Sequence, residues 1–206
     1  MCIVFFEPTD MRIADRPFAA RNPKLAALAA RAIKFISPNV HELAQIAQAL
    51  HYPGPIPAKA MDEYCTLGEL LDDVQPLARF VNETIDHVLV TLGHHGVAVF
   101  RRTPPTVPFF GPAHEYQPVP SDRPTGRFYP APELPQIVNV SGAGDSFTSG
   151  FIVAALAGRP EPVCVNVALE AAGCALRARS AVAERYFDRA HPCWTNEQGA
   201  AYRTLE

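Results

Sequence analysis

The stretch NVSGAGDSFTSGF, Asn139 to Phe151, runs directly into IVAALAG, Ile152 to Gly158. Two glycines flanking an alanine, then a carboxylate, then an apolar run of helical length predict a turn that opens a helix. The first amides of a helix lack intrahelical partners and carry the positive end of its dipole. Small residues let an anion approach those amides closely. Gly142, Ala143 and Gly144 are therefore candidates for an anion hole. Asp145 does not suit a passive phosphate cradle, because a fixed carboxylate repels a resting phosphate. It suits a site where a hydroxyl must lose its proton beside a phosphoryl group in transfer. Other uses of these letters fail on detail. The dinucleotide fingerprint needs a glycine where Phe147 stands. A Walker loop needs Gly-Lys-Ser/Thr, and a nucleophile elbow needs a serine between two glycines, whereas Ser141 only precedes one. A plain strand-to-helix turn, with Asp145 as a helix-start charge, accounts for the same residues.

Outward from this turn, strands and helices alternate. IVNV, residues 137–140, reads as the strand that feeds it. The helix that follows stops at Gly158, with Pro160 just beyond. EPVCVNVALEAAGCALRARSAV, residues 161–182, reads as a last long helix with alanine and glycine on one side. Toward the N-terminus, CIVFF (2–6) reads as a strand and NPKLAALAARAIKF (22–35) as a helix. FIS (35–37) is a short strand, and NVHELAQIAQAL (39–50) is a helix with Leu43, Ile46, Ala47 and Leu50 on one face. TLGELLDDVQPLARFVNETI (66–85) predicts a third helix, bent or broken near Pro76. HVLVTLG (87–93) and GVAVF (96–100) are two strands around a tight GHHG turn. This order predicts an α/β fold with a mostly parallel sheet flanked by helices. Residues 104–135 hold ten of the 21 prolines and no helical period, which predicts a long loop or a set of short extended pieces. No second domain stands out within 1–206.

Composition narrows the class. The chain has 206 residues, 48% of them hydrophobic and 19% charged, with a net charge of −3, which fits a globular enzyme. Without a basic stripe, no nucleic-acid partner is expected. The five cysteines (Cys2, Cys65, Cys164, Cys174 and Cys193) are odd in number and form no CxxC pair. Neither a disulfide framework nor a zinc site follows, and reduced thiols of a cytoplasmic protein are the expectation. The apolar run at the N-terminus is too short for a signal peptide or a membrane span, so no membrane partner is expected.

GAGDSFTSGF resembles the second signature of the ribokinase/PfkB carbohydrate kinases. The resemblance implies that Asp145 is the catalytic base and that Gly142, Ala143 and Gly144 form the anion hole. Where that signature opens with Asp-Thr, this chain has Asn139 and Val140. Three further segments agree in order. SPNVHE matches an Asn-x-x-Glu motif, which implies a role for Asn39 and Glu42 in organising Mg²⁺ and its waters. An ordinary helix start, with Asn39 as cap and Glu42 three positions on, fits those two residues as well. VTLGHHGV matches a nucleotide segment, which implies that Thr91, Gly93 and Gly96 border ATP; a plain hairpin turn is the other reading. His94 and His95 between them read as solvent-facing turn residues. NVALEAAGCAL resembles a late helix that flanks the nucleotide, with Asn166 as the contact. FFEPTD together with NVSGAGDSF is similar to the pseudouridine-kinase branch, which implies the 5′-hydroxyl of pseudouridine as phosphoryl acceptor.

The resemblance covers nearly the whole chain but only the C-terminal part of the family pattern. The N-terminal part of the fold and its lid, which supply most acceptor contacts, are expected to be missing from these residues. A complementing N-terminal kinase half, or a fused pseudouridine-phosphate glycosidase, is the implied partner. A truncated, non-catalytic nucleotide-binding module is the competing function. An α/β oxidoreductase rests on the glycine turn alone.

Overall fold

A computed structural model describes residues 3–19, 23–117 and 124–206. Cys2 and Asn22, the first residues of two expected elements, lie outside the described residues. The chain gathers into two compact units. The first comprises Met1–Arg102, Ser121–Phe128 and Thr204–Glu206, and the second Thr103–Pro120 and Tyr129–Arg203.

The sheet lies mainly with the first unit. Its strands are β1 (Val4–Phe6), β2 (Ile33–Ile36), β3 (His87–Thr91), β4 (Gly96–Arg101), β5 (Thr125–Pro130) and β6 (Arg203–Leu205), side by side in that order. β1, β2 and β3 run parallel, and β3 with β4 forms an antiparallel hairpin in which Thr91 pairs with Val97. The expected class, α/β with a mostly parallel sheet flanked by helices, is the one observed. Helices α1 (Met11–Ala14), α2 (Pro23–Ala32), α3 (Val40–Ala49) and α4 (Leu67–Thr84) accompany these strands. The core forms where the apolar stripe of α3 (Leu43, Ile46, Ala47) and that of α4 (Leu70, Val74, Leu77, Val81) meet Ile36, Val88, Val90 and Phe100 of the sheet. β3 is buried from His87 to Val90, and all of β4 is buried, which is why both read as continuous apolar runs.

In the second unit, α5 (Ala143–Leu156) packs along α6 (Glu161–Arg177). Gly150 makes the approach possible: a Cβ there would lie 3.0 Å from the Ala171 Cβ and 3.1 Å from the Ala168 Cα. Phe109 meets Phe151 edge-on at 5.2 Å, and the buried Tyr129 hydroxyl donates to the Glu161 carboxylate at 2.7 Å. The short α7 (Pro192–Thr195) packs against α6.

Four local expectations are corrected, and a fifth, between two alternatives, is decided. The helix expected over 22–35 stops at Ala32, and Ile33 opens β2 at once, because Ile33, Phe35 and Ile36 are buried in the sheet. The helix expected to break near Pro76 runs unbroken through it. Pro76 and Asp72 are both exposed, so the carbonyl that loses its partner at Asp72 faces water. The proline-rich 104–135 region takes the second of its two expected forms, short extended pieces: β5, buried from Gly126 to Tyr129, and a bridge between Phe110 and Tyr116. Residues 137–140 are not a strand. They are irregular, with Ile137, Val138 and Val140 exposed, and the amides of Val138 and Asn139 donate to one carbonyl, that of Leu176, at 2.8 and 3.2 Å. The last long helix ends at Arg177 and does not reach Val182.

Candidate functional site

The glycine turn has the geometry its composition implies. Gly142 is the N-cap of α5, in the left-handed region at φ 77°. A Cβ there would collide with the carbonyl oxygen of Ala181, so glycine is required twice, by conformation and by space. The first bond of the helix runs from the Ser146 amide to the Gly142 carbonyl at 2.9 Å. The amides of Ala143, Gly144 and Asp145 therefore stand ahead of the intrahelical ladder, with no acceptor among the described residues, at the positive end of a 14-residue helix. Asp145 is the third residue of this helix, and its side chain is exposed.

Side chains that sequence reasoning did not assign hold this turn. Asn139 Oδ1 accepts the Ser141 amide at 3.0 Å, and Asn139 Nδ2 donates to the Arg179 carbonyl at 3.4 Å. On the helix side, Ser146 Oγ and the Tyr186 hydroxyl lie 2.9 Å apart, and the Tyr186 oxygen accepts the Ala183 amide at 3.4 Å. The segment 176–186 thus grips the turn from before and after. Asn139 was legible only as a departure from the usual signature. Tyr186 carries no local signal, because its partner lies forty residues away in the chain.

Asn166, on α6, is partly buried, and its Nδ2 donates to the Cys193 carbonyl at 3.3 Å. That bond ties α7 to α6. Nearby, burial pushes the Cys193 thiol up to about 12.

The first unit brings together the remaining candidates at the carboxyl ends of β2 and β3. Asn39 bridges Thr91 in parallel register, and the Thr91 amide donates to the Pro38 carbonyl at 2.9 Å. Ligands of open α/β sheets bind at this end of the strands. Asn39 and Glu42 form a complete capping box: the Glu42 amide donates to Asn39 Oδ1 at 3.0 Å, and the Asn39 amide donates to Glu42 Oε2 at 2.8 Å. Glu42 is buried, and loss of water raises its carboxyl above the ordinary 4.5, opposed by the bond from Asn39 and reinforced by Asp10.

Both side chains are thus committed to the helix start. Among the described residues, no group of three or more His, Cys, Asp or Glu is arranged to hold a metal ion. Of the Glu42 carboxylate, Oε2 is the oxygen that takes the Asn39 amide.

Gly93 and Gly96 close the β3–β4 hairpin, with φ of 58° and 122°. The Leu92 amide donates to the Gly96 carbonyl at 2.8 Å, and a single 3₁₀ turn, Gly93–His95, lies between them. The expected hairpin is present, and a Cβ on Gly93 would touch nothing within 4 Å. Its left-handed backbone, and not crowding, is what selects glycine there. His94 is exposed, and burial with the neighbouring His94 ring lowers the His95 pKa. Among the described residues, no helix is long and apolar enough to cross a membrane.

Known proteins share the fold. The chain resembles, in fold, a Clostridium perfringens protein described as a sugar kinase, with 15% identity and a TM-score of 0.59 over 98% of this chain and 49% of that one. It resembles adenosine kinase from Sinorhizobium meliloti at 16% identity and a TM-score of 0.58, over 94% and 43% of the two chains. For ribokinase from Arabidopsis thaliana, solved with ribose and ATP, identity is 21% and the TM-score 0.53, over 88% and 44%. The chain spans about half the length of these solved proteins. Among curated protein sequences, none matches it. The sequence pattern of the pfkB family carbohydrate kinases matches residues 9–185, which takes in the capping box, the hairpin and the glycine turn. With strands β2 to β5, helices α1 to α6 and the glycine start of α5 all inside that match, the chain belongs to the pfkB carbohydrate kinase family.

Proposed function

We propose that this chain is the C-terminal, catalytic portion, residues 1–206, of a single kinase domain that moves the γ-phosphoryl group of ATP to a sugar hydroxyl. The observation that carries this reading is the start of α5, where an exposed carboxylate, Asp145, stands among three unpaired amides. Those amides donate to the phosphoryl group as its charge redistributes, and Asp145 takes the proton of the attacking hydroxyl. Thr91, Gly93, Gly96 and Asn166 border the nucleotide. Mg²⁺ supplies charge neutralisation on the phosphates when bound, and Glu42 meets it through water. The acceptor is proposed to be a nucleoside or pentose, with the 5′-hydroxyl of pseudouridine first. Support comes from FFEPTD and NVSGAGDSF in the sequence, and from nucleoside and ribose kinases among the structural relatives. The proposed site of action is the cytoplasm, and the proposed partner is a complementing N-terminal kinase half or a fused pseudouridine-phosphate glycosidase.

A second reading is a non-catalytic nucleotide-binding module. The observation favouring it is that the chain spans about half the length of its solved relatives. One experiment separates the two. The protein, isolated from the cells that make it, is incubated with ATP, Mg²⁺ and pseudouridine, adenosine or ribose in turn, and ADP and phosphorylated acceptor are measured. Acceptor-dependent ADP release is expected with pseudouridine. ATP binding without acceptor-dependent ADP from any of the three would favour the module.

A further inference from the structure

The hydroxyl of Tyr186 reaches back to Ser146, the residue after Asp145, at 2.9 Å. Ser146 is 6% exposed and Tyr186 44%. With so much of its ring in water, Tyr186 serves the fold chiefly through its hydroxyl. The same oxygen accepts the Ala183 amide at 3.4 Å, which closes the loop on which Tyr186 stands. Earlier in that loop, the Ala181 carbonyl lies against Gly142, so close that a Cβ there would collide with it. The loop therefore meets the start of α5 at two points, Gly142 and Ser146. The leading amides of Ala143, Gly144 and Asp145 lie between those points.

Two points fix what one leaves loose. Contact at Gly142 alone lets the first turn rotate about the helix axis. A side-chain tip stands about 5 Å from that axis, so about 10° of rotation moves it by about 1 Å. A shift of that size can slow a reaction by about 10²-fold. The close approach of α5 to α6 comes later, at Gly150, more than one turn beyond Asp145. We infer that Tyr186 is a positioning residue for phosphoryl transfer. Through Ser146 it sets the rotation of the first turn of α5, and with it the aim of the Asp145 carboxylate and of the three leading amides. The inference rests on the kinase reading and deepens it. The match to the family pattern ends at residue 185, so that pattern assigns Tyr186 nothing.

The test makes Tyr186→Phe, Ser146→Ala and both together in the cells that make the protein, with Tyr202→Phe, at another exposed tyrosine, as control. Tyr186→Phe should lower the kcat of acceptor-dependent transfer about tenfold and leave the ATP dissociation constant within about twofold. Ser146→Ala should do the same. Amide exchange in peptides covering 142–150 should quicken at least about threefold in Tyr186→Phe. Tyr202→Phe should match the natural protein in all three readings. The double variant separates positioning from mere support. With neither hydroxyl present, no buried oxygen is left without its partner. Its urea midpoint should therefore recover toward the natural one, while kcat stays as low as in Tyr186→Phe. A kcat in Tyr186→Phe within about twofold of the natural value, unchanged exchange at 142–150, or a double variant whose rate recovers with its stability would each overturn the inference. The two readings fail separately. A natural protein without transfer, whose Tyr186→Phe variant still exchanges faster at 142–150, removes the kinase reading and leaves the tie between Tyr186 and the turn. Transfer by the natural protein that survives Tyr186→Phe removes the inference and leaves the kinase reading.

Discussion

Gly142 and Asp145 stand three residues apart and answer to different demands. Gly142 is held at positive φ against the Ala181 carbonyl, so Gly142→Ala adds backbone strain to a collision with main chain. The expected cost is at least about 2 kcal/mol, read as a lower urea midpoint. Asp145 is exposed, and Asp145→Asn should change stability by no more than about 0.5 kcal/mol. Glu42 offers a test by pH. Its carboxyl is raised by burial, so the folded state holds that proton to higher pH than the unfolded chain does. Stability is then lost as pH rises above the ordinary 4.5 and Glu42 ionises without full hydration. Glu42→Gln keeps an acceptor for the Asn39 amide and removes the titration. Urea midpoints of the two proteins from pH 4 to 8 should show the natural protein falling relative to the variant. Parallel curves would mean that Glu42 does not feel its burial. At this scale the sequence was informative wherever one residue type has one use. Gly142 is an example. It was silent wherever a role depends on a distant partner, as with Tyr186 on Ser146.

Among the elements, those with a clean apolar period were legible, and those defined by their neighbours were not. α3 was readable because Leu43, Ile46 and Ala47 face one core and Asn39 with Glu42 announces its start. β5 was hidden inside a proline-rich region, because its two central buried residues, Arg127 and Phe128, give no alternation a reader would credit. Residues 137–140 erred in the opposite direction. Their apolar letters suggest a strand, but the amides of Val138 and Asn139 are spent on one helix-end carbonyl. The helix α4 shows why a proline is not always a break: at Pro76 the lost bond falls on the wet side. Replacing Pro76 with alanine should therefore raise stability by about 1–2 kcal/mol. That is the roughly 3 kcal/mol helix penalty of proline, less the water already serving the Asp72 carbonyl and the entropy proline removes from the unfolded chain. A higher thermal midpoint would be the sign; a lower one would mean that the helix is built around the proline.

For the whole molecule, family and fold class were both within reach of the sequence, because four short motifs fall in a fixed order along the chain. The four motifs name no acceptor contact, and the chain spans about half the length of its solved relatives. In the proposed function, α5 presents a proton acceptor to a hydroxyl while its leading amides hold the transferring group. The most direct measurement compares the natural protein with Asp145→Asn, as isolated from the cells that make it, for both ATP affinity and acceptor-dependent phosphoryl transfer. The expected outcome is an ATP dissociation constant within about threefold and a transfer rate lower by about 10²–10⁴, the range for a lost general base. Transfer by Asp145→Asn at close to the natural rate would contradict it.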